Sequence, residues 1–153
     1  MKKLFALLAV LVMLCCTAAG AEETLYGPRF GCTLADFNGD WVFVYLLYQG
    51  ERMDADALQM HAELHHQDGS GYVVFYNPDG TSERLELYCT IQEEPELGTM
   101  FLAYFLDPAT GEVTENGMVC LLYEDGQLMY LMGDDRGGLY YYSFVPEAWL
   151  EEE

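Results

Sequence analysis

The sequence has very few cations and, beyond its first three residues, no lysine. Lys2 and Lys3 are its only lysines, and six Lys and Arg residues in total stand against 26 Asp and Glu residues. The formal net charge of −20 argues against nucleic acid and anionic lipid as partners, because like charges repel. Two interpretations stay open: a charged coat that keeps the protein soluble, or attraction of a cationic partner.

No apolar stretch is long enough to cross a bilayer. The longest runs almost unbroken from Leu4 to Cys16, whereas a membrane-spanning helix needs about 20 apolar residues. Basic residues precede it and a small-x-small motif ending at Ala21 follows it, an order typical of a secretory signal peptide. The sequence therefore predicts a signal peptide over residues 1–21, cleaved after Ala21, and a secreted protein of the extracellular space or cell envelope. Lipid attachment at Cys15 or Cys16 is the alternative, although the residue before such a cysteine is normally small and here it is Leu14 or Cys15.

Cysteine is scarce after the predicted cleavage site. Three remain, Cys32, Cys89 and Cys120, an odd number that allows at most one internal disulfide with a thiol left over. Three pairings are possible, and the sequence does not choose among them. The three form no CxxC pair, so the sequence supports neither a dithiol redox motif nor a zinc knuckle.

Catalytic motifs are also missing from the sequence. It contains no Gly-x-Ser-x-Gly motif, phosphate-binding loop or dinucleotide fingerprint, and its three serines have no His-Asp context. The histidines cluster at His61, His65 and His66, but Ala62 stands where a zincin needs a glutamate. On a strand, His61 and His65 would form a surface pair, with weak transition-metal binding as the alternative. We therefore expect a non-catalytic protein with no resident metal and no cofactor.

Turn-forming residues recur along the rest of the chain and separate segments rich in β-branched and aromatic residues. Asn-Gly and Asp-Gly dipeptides between such segments are strong hairpin signals, and Asn116-Gly117 is one of those expected to form a turn. Residues 54–58 are predicted to form a short helical turn, because they combine helix formers with an Asp that can cap the start. Eight strands are predicted, at residues 41–48, 60–67, 72–76, 83–91, 99–106, 118–123, 127–132 and 139–145.

Eight consecutive antiparallel strands favour a closed barrel. An open sheet would expose apolar edges, which closure removes, and a two-sheet sandwich usually has longer Greek-key crossovers. We therefore predict an all-β protein: an eight-stranded antiparallel up-and-down barrel with one short helical turn after the first strand. The sandwich, or a flattened and partly open barrel, is the alternative. The predicted organisation is a signal peptide (1–21), an irregular lead-in (22–37), a monomeric barrel domain (38–146) and an acidic C-terminal tail (147–153).

The first predicted strand opens with the Gly-x-Trp motif Gly39-Asp40-Trp41, and an Asp-Ala-rich turn and an Asn-Pro-Asp-Gly turn follow. This pattern resembles the lipocalins and other calycins, and especially the small secreted lipocalin-like proteins of Gram-positive gut bacteria. The resemblance covers residues 34–146 and implies a lipocalin-like barrel in which Trp41 is a structural residue inside the floor. Lipocalins cover this Trp with an arginine from a late strand, whereas the only late arginine here, Arg136, lies in a Gly-rich turn.

Two classes of function fit this prediction. The first is a binding protein that holds a small apolar ligand in or at the mouth of the barrel. Strand alternation points Phe43, Tyr45 and Leu47 inward after Trp41, and Tyr141 is a further candidate for the lumen. The second is a filled barrel that works as an interaction or scaffold protein through an acidic, Tyr-rich face. The large inward side chains argue for a narrow lumen or none.

Overall fold

The computed structural model describes residues 26–133 and 135–151 and shows an all-β fold. The predicted signal peptide and its cleavage site lie outside the described residues. One single-turn helix, α1 (Ala55–Leu58), and two 3₁₀ helices, at Leu34–Phe37 and Glu147–Trp149, accompany the strands. The strands are β1 (Gly39–Tyr48), β2 (Glu51–Asp54), β3 (His61–Gln67), β4 (Ser70–Tyr76), β5 (Ser82–Glu94), β6 (Gly98–Leu106), β7 (Val113–Leu122), β8 (Leu128–Gly133) and β9 (Leu139–Pro146).

Eight of these strands close into a barrel. From β3 to β9 each strand pairs antiparallel with the next, and β1 pairs with β3 on one side and with β9 on the other. Closure leaves the ring without a free edge. The predicted eight-stranded antiparallel barrel is therefore confirmed.

The ninth strand, β2, is an addition that the sequence analysis did not predict. The first half of β1, residues 39–42, pairs with β3, and the second half, residues 45–48, pairs with β2 instead. The helix α1 follows β2 where the helical turn was predicted, and Ala55 and Leu58 pack against the interior. These side chains cover the interior near the end of the barrel where β1 finishes.

The opposite end of the barrel is closed by the N-terminal 3₁₀ helix. Its Phe37 is buried and stacks on Phe101 of β6, with ring centroids 4.8 Å apart. Trp41 is 6% exposed, and its indole Nε1–H donates to the Phe37 carbonyl oxygen at 3.1 Å. Trp41 thus lies in the interior at the start of β1, as the sequence analysis placed it. Arg136 lies in the turn between β8 and β9, beyond the last strand pair at that end.

The Asn116-Gly117 dipeptide, expected to form a turn, lies inside β7. The hairpin between β6 and β7 turns earlier, where the Asp107 N–H donates to the Glu112 carbonyl oxygen at 2.8 Å. A Cβ atom on Gly117 would lie 2.3 Å from the carbonyl oxygen of Ala103 on β6. The glycine therefore allows close approach of two strands and does not mark a turn.

Candidate ligand-binding site

A β-bulge in β1 reverses the inside–outside alternation of that strand. Phe43 pairs with Phe144 and Tyr45 pairs with Ser143, so two steps along β1 match one step along β9. Val44 is the extra residue. Because side chains alternate with a period of two, one inserted residue moves every later side chain of β1 to the other face.

Because of the bulge, the side chains predicted to line the lumen after Phe43 are wrong. Leu46, not Tyr45, joins the interior cluster with Phe43, and Leu46 is 6% exposed. Tyr45 and Leu47 point to the outer side of the barrel wall. Tyr141 pairs with Leu47 across the β1–β9 ladder and shares its side. Of the four lumen candidates, therefore, only Phe43 lies inside the barrel.

Aromatic rings occupy the interior where the lumen was predicted. Tyr142 lies 5.7 Å from Phe43 and 5.5 Å from Tyr130 between ring centroids, and Tyr48 stacks on Tyr140 at 4.2 Å. Burial raises the pKa of Tyr130 to about 12, so its phenol stays neutral. These rings cover the inner face of the barrel wall formed by β1, β8 and β9.

The three outward residues meet in one pocket of about 310 Å³. The pocket lies on the outer wall over β8, β9 and β1, between the β1–β2 turn and the β7–β8 turn, and we call it the tyrosine pocket. Its volume is at the lower end of the range for small-molecule sites, about 300–1,000 Å³. Its apolar and aromatic lining consists of Tyr26, Tyr45, Tyr123, Tyr141, Leu47 and Met129.

Strand register brings these side chains together. Tyr45 and Met129 both pair with Ser143, which puts the three residues in one row across β1, β9 and β8. Leu47 and Tyr141 form the next row. Neighbours within a row share a face of the sheet, so the two rows build a continuous apolar floor on the outer wall.

One glutamine organises the polar side of the tyrosine pocket. The Gln127 Oε1 atom accepts from the Tyr45 hydroxyl at 2.8 Å and from the Ser143 hydroxyl at 2.7 Å. The Gln127 backbone N–H and Nε2 donate to the two carboxylate oxygens of Asp125, each at 3.0 Å. The network fixes the Tyr45 ring and ties β1 and β9 to the β7–β8 turn.

The sequence analysis did not single out seven of the residues that line the pocket: Tyr26, Gln49, Gly50, Tyr123, Asp125, Gln127 and Met129. Asp125 carried a signal only as part of an Asp-Gly turn. Tyr26 belongs to the lead-in and the two residues Gln49 and Gly50 to the β1–β2 turn. The remaining three, from the β7–β8 turn and β8, reach Tyr45 through closure of the barrel between β1 and β9. No local pattern in the sequence encodes that register.

The surface histidine pair lies on the outer face of β3, as predicted for a strand. His61 Nε2 lies 2.8 Å from Glu63 Oε1, and His65 contacts the Asp40 carboxylate and stacks on Tyr72. A cavity of about 40 Å³ beside His65 has room for only a few water molecules. Within residues 26–133 and 135–151, no group of three or more His, Cys, Asp or Glu side chains is arranged to hold a metal ion.

The third histidine has a different environment. His66 is fully buried, its ring lies edge-on to Phe101, and its Nε2 accepts from the Gly69 N–H at 3.0 Å. Burial lowers the pKa of His66. This effect is larger than those of the Phe37 carbonyl and the Asp68 carboxylate, which raise the pKa. His66 is therefore a neutral part of the packed interior.

The three cysteines among the described residues, Cys32, Cys89 and Cys120, are buried free thiols. Cys89 on β5 and Cys120 on β7 are separated by β6, so their strands lie about 9–10 Å apart. A disulfide needs Cα atoms closer than about 7 Å. Burial raises the pKa of Cys89 to about 12 and raises that of Cys120 as well, which suppresses the reactive thiolate.

The chain was compared with known proteins. No family model matches it, and no curated protein matches its sequence. In the part of the chain that the structure describes, no helix is both long and apolar enough to cross a membrane. The features that bear on function are therefore the closed barrel and the geometry of the tyrosine pocket.

Proposed function

We propose that the protein is a secreted, lipocalin-like, non-catalytic binding protein that holds a small apolar ligand in the tyrosine pocket. The observation that carries the proposal is the pocket of about 310 Å³ with its aromatic and apolar lining. The signal-like N-terminus supports export. The Gly-x-Trp start, the closed eight-stranded barrel and the plugged floor support a lipocalin-like protein.

The proposed site is on the outside of the barrel wall. Large side chains occupy the interior from the Phe37–Phe101 stack at one end to the Tyr48–Tyr140 stack near the other. The outer pocket, in contrast, has an aromatic lining that is open to a ligand. Its floor is preorganised, because the Gln127 network holds Tyr45 in place before any ligand binds.

Binding of a neutral fluorescent probe tests the proposal. N-phenyl-1-naphthylamine is apolar and small enough for the pocket, and we expect a saturable rise in its emission with wild-type protein. Leu47→Trp places a larger side chain in the pocket and should weaken binding at least about tenfold. Tyr88→Trp is the matched control, because Tyr88 lies 49% exposed on the outer side of β5.

Three results decide between the possibilities. Weaker binding in Leu47→Trp together with wild-type binding in Tyr88→Trp supports the tyrosine pocket. Equal binding in both variants would place the probe elsewhere. No binding to the wild type would remove the basis for a small-molecule site of this chemistry.

The second candidate is an interaction protein, and one observation favours it. The pocket opens on the outer wall of a strongly acidic chain, and Tyr26 at its lining is 50% exposed. A cationic partner protein could insert an apolar side chain there. A cationic, Phe-containing peptide that binds the wild type but not Leu47→Trp, while the neutral probe binds neither, would favour this candidate.

A further inference from the structure

The side-chain hydrogen bonds of Gln127 in the tyrosine pocket form a chain that ends at a carboxylate. The Tyr45 and Ser143 hydroxyls give their protons to Gln127 Oε1, and Gln127 gives its own to Asp125. A carboxylate has about four lone-pair sites, and Gln127 uses two of those on Asp125. Asp125 can therefore still accept hydrogen bonds from a ligand.

The residues that line the pocket carry charge of only one sign. Among the described residues that line it, Asp125 is the one charged side chain, and no basic side chain takes part. The chain as a whole carries a formal charge of −20. An anionic ligand would be repelled by Asp125 and would find no charged donor among the lining residues, whereas a cation would be attracted.

The rings of the pocket are also suited to a cation. Tyrosine faces attract ammonium and guanidinium groups, and four tyrosines line the pocket. One of them already makes such a contact, since the Arg52 guanidinium lies 4.0 Å from the centroid of the Tyr45 ring. Arg52 is itself paired with Asp54 at 2.9 Å, which compensates its charge.

We propose that the tyrosine pocket selects protonated arylalkylamines over neutral and anionic compounds of the same shape. The aromatic body would pack among the tyrosines, Leu47 and Met129, and the ammonium group would donate hydrogen bonds to Asp125. This inference rests on the proposed function of the pocket and names the chemical class of its ligand. The ligand would thus need a positive charge as well as an apolar body.

Matched probes test the charge requirement. We would titrate the protein with 2-(1-naphthyl)ethylamine, 2-(1-naphthyl)ethanol and 1-naphthaleneacetate at pH 7 and 0.15 M NaCl, and follow the heat of binding. The amine should bind at least about tenfold more tightly than the alcohol, because a charge-assisted hydrogen bond is stronger than a neutral one. The carboxylate should bind most weakly.

Two variants locate the effect. Asp125→Asn removes the charge with little change in shape, and it should abolish the preference for the amine while the alcohol still binds. Glu124→Gln removes the neighbouring exposed charge and is the matched control, expected to keep the preference. Alcohol binding by Asp125→Asn also shows that the variant keeps its pocket.

The outcomes separate this inference from the proposed function. Equal binding of amine and alcohol to the wild type would overturn the charge requirement and leave an apolar binding site. A preference that survives in Asp125→Asn would overturn the role of Asp125. If none of the three naphthyl compounds bound, both the inference and the proposed small-molecule site would fail.

Discussion

Trp41 joins the start of β1 to the plug at the floor of the barrel. Its ring is buried and its indole N–H donates to the Phe37 carbonyl oxygen, so Trp41→Ala leaves a cavity and removes that hydrogen bond. We expect a loss of about 3–5 kcal/mol, a large share of the roughly 5–15 kcal/mol that stabilises a domain. Urea unfolding measures the loss. Trp149→Ala, at a site 46% exposed, is the control and should lose much less, and equal losses would show that Trp41 is not part of the packed core.

His66 should make stability depend on pH. Burial holds the folded pKa below the ordinary 6.5, so the unfolded chain binds more protons once the pH falls below about 6.5. The contribution of neutral His66 to the free energy of unfolding is therefore fully present above pH 6.5 and is lost as the pH falls towards the folded pKa. His66→Gln should flatten the change in unfolding free energy between pH 7.5 and 5.5. An unchanged slope in His66→Gln would disprove this role.

The thiols should be hidden in the native protein. Cys32, Cys89 and Cys120 are all buried, and burial raises the pKa of Cys89 and of Cys120. For the protein without residues 1–21, we expect almost no reaction with a thiol reagent under native conditions and three thiols per chain after unfolding without reductant. One thiol per chain after unfolding would instead reveal an internal disulfide.

Among the elements of the fold, the β6–β7 hairpin has a position that accepts only glycine. A Cβ on Gly117 would lie 2.3 Å from the Ala103 carbonyl oxygen, whereas nothing lies within 4 Å of a Cβ on Gly27. Gly117→Ala should therefore push the two strands apart and lower Tm clearly. Gly27→Ala should leave Tm nearly unchanged. Similar melting of both variants would mean that β6 and β7 do not approach so closely.

Alternation of side chains along a strand predicts the outer face correctly in β3 but not in β1. Alternation in His61–Gln67 predicted that His61 and His65 face outward, and they do, because nothing interrupts the period of two in β3. Alternation failed in β1 because Val44 forms a bulge. Val44 lies in a run of apolar residues, Trp41–Tyr48, that can face either side, so the sequence does not mark the inserted residue.

For the whole molecule, repulsion among carboxylates is the dominant long-range electrostatic effect. The screening length falls from about 30 Å at 0.01 M salt to about 8 Å at 0.15 M, so added NaCl should reduce repulsion in the folded chain. We expect Tm to rise by several degrees, since about 1 kcal/mol corresponds to a few degrees in a domain of this size. Calcium chloride at equal ionic strength should give the same rise. A clearly larger rise with calcium would indicate a specific cation site.

The amino-acid sequence by itself determined the class of fold. Hairpin turns between β-branched and aromatic segments predict sequential antiparallel strands, and eight such strands remove their exposed edges by closing. The resemblance of its Gly39-Asp40-Trp41 start to the lipocalins also implied a structural Trp41 in the floor of the barrel, where the side chain is buried. These features depend on neighbours in the chain, which the sequence displays directly.

Only the tertiary structure decided where a ligand could bind. Tyr45, Met129 and Tyr141 lie far apart in the sequence and meet because β1 pairs with β9 and β9 with β8. One bulge residue, Val44, then turned Tyr45 from the interior to the outer wall. Strand register is set by the packing of the whole core, and a shift of a single residue exchanges the two faces of a strand. The pocket is therefore a property of the closed barrel and of no single segment.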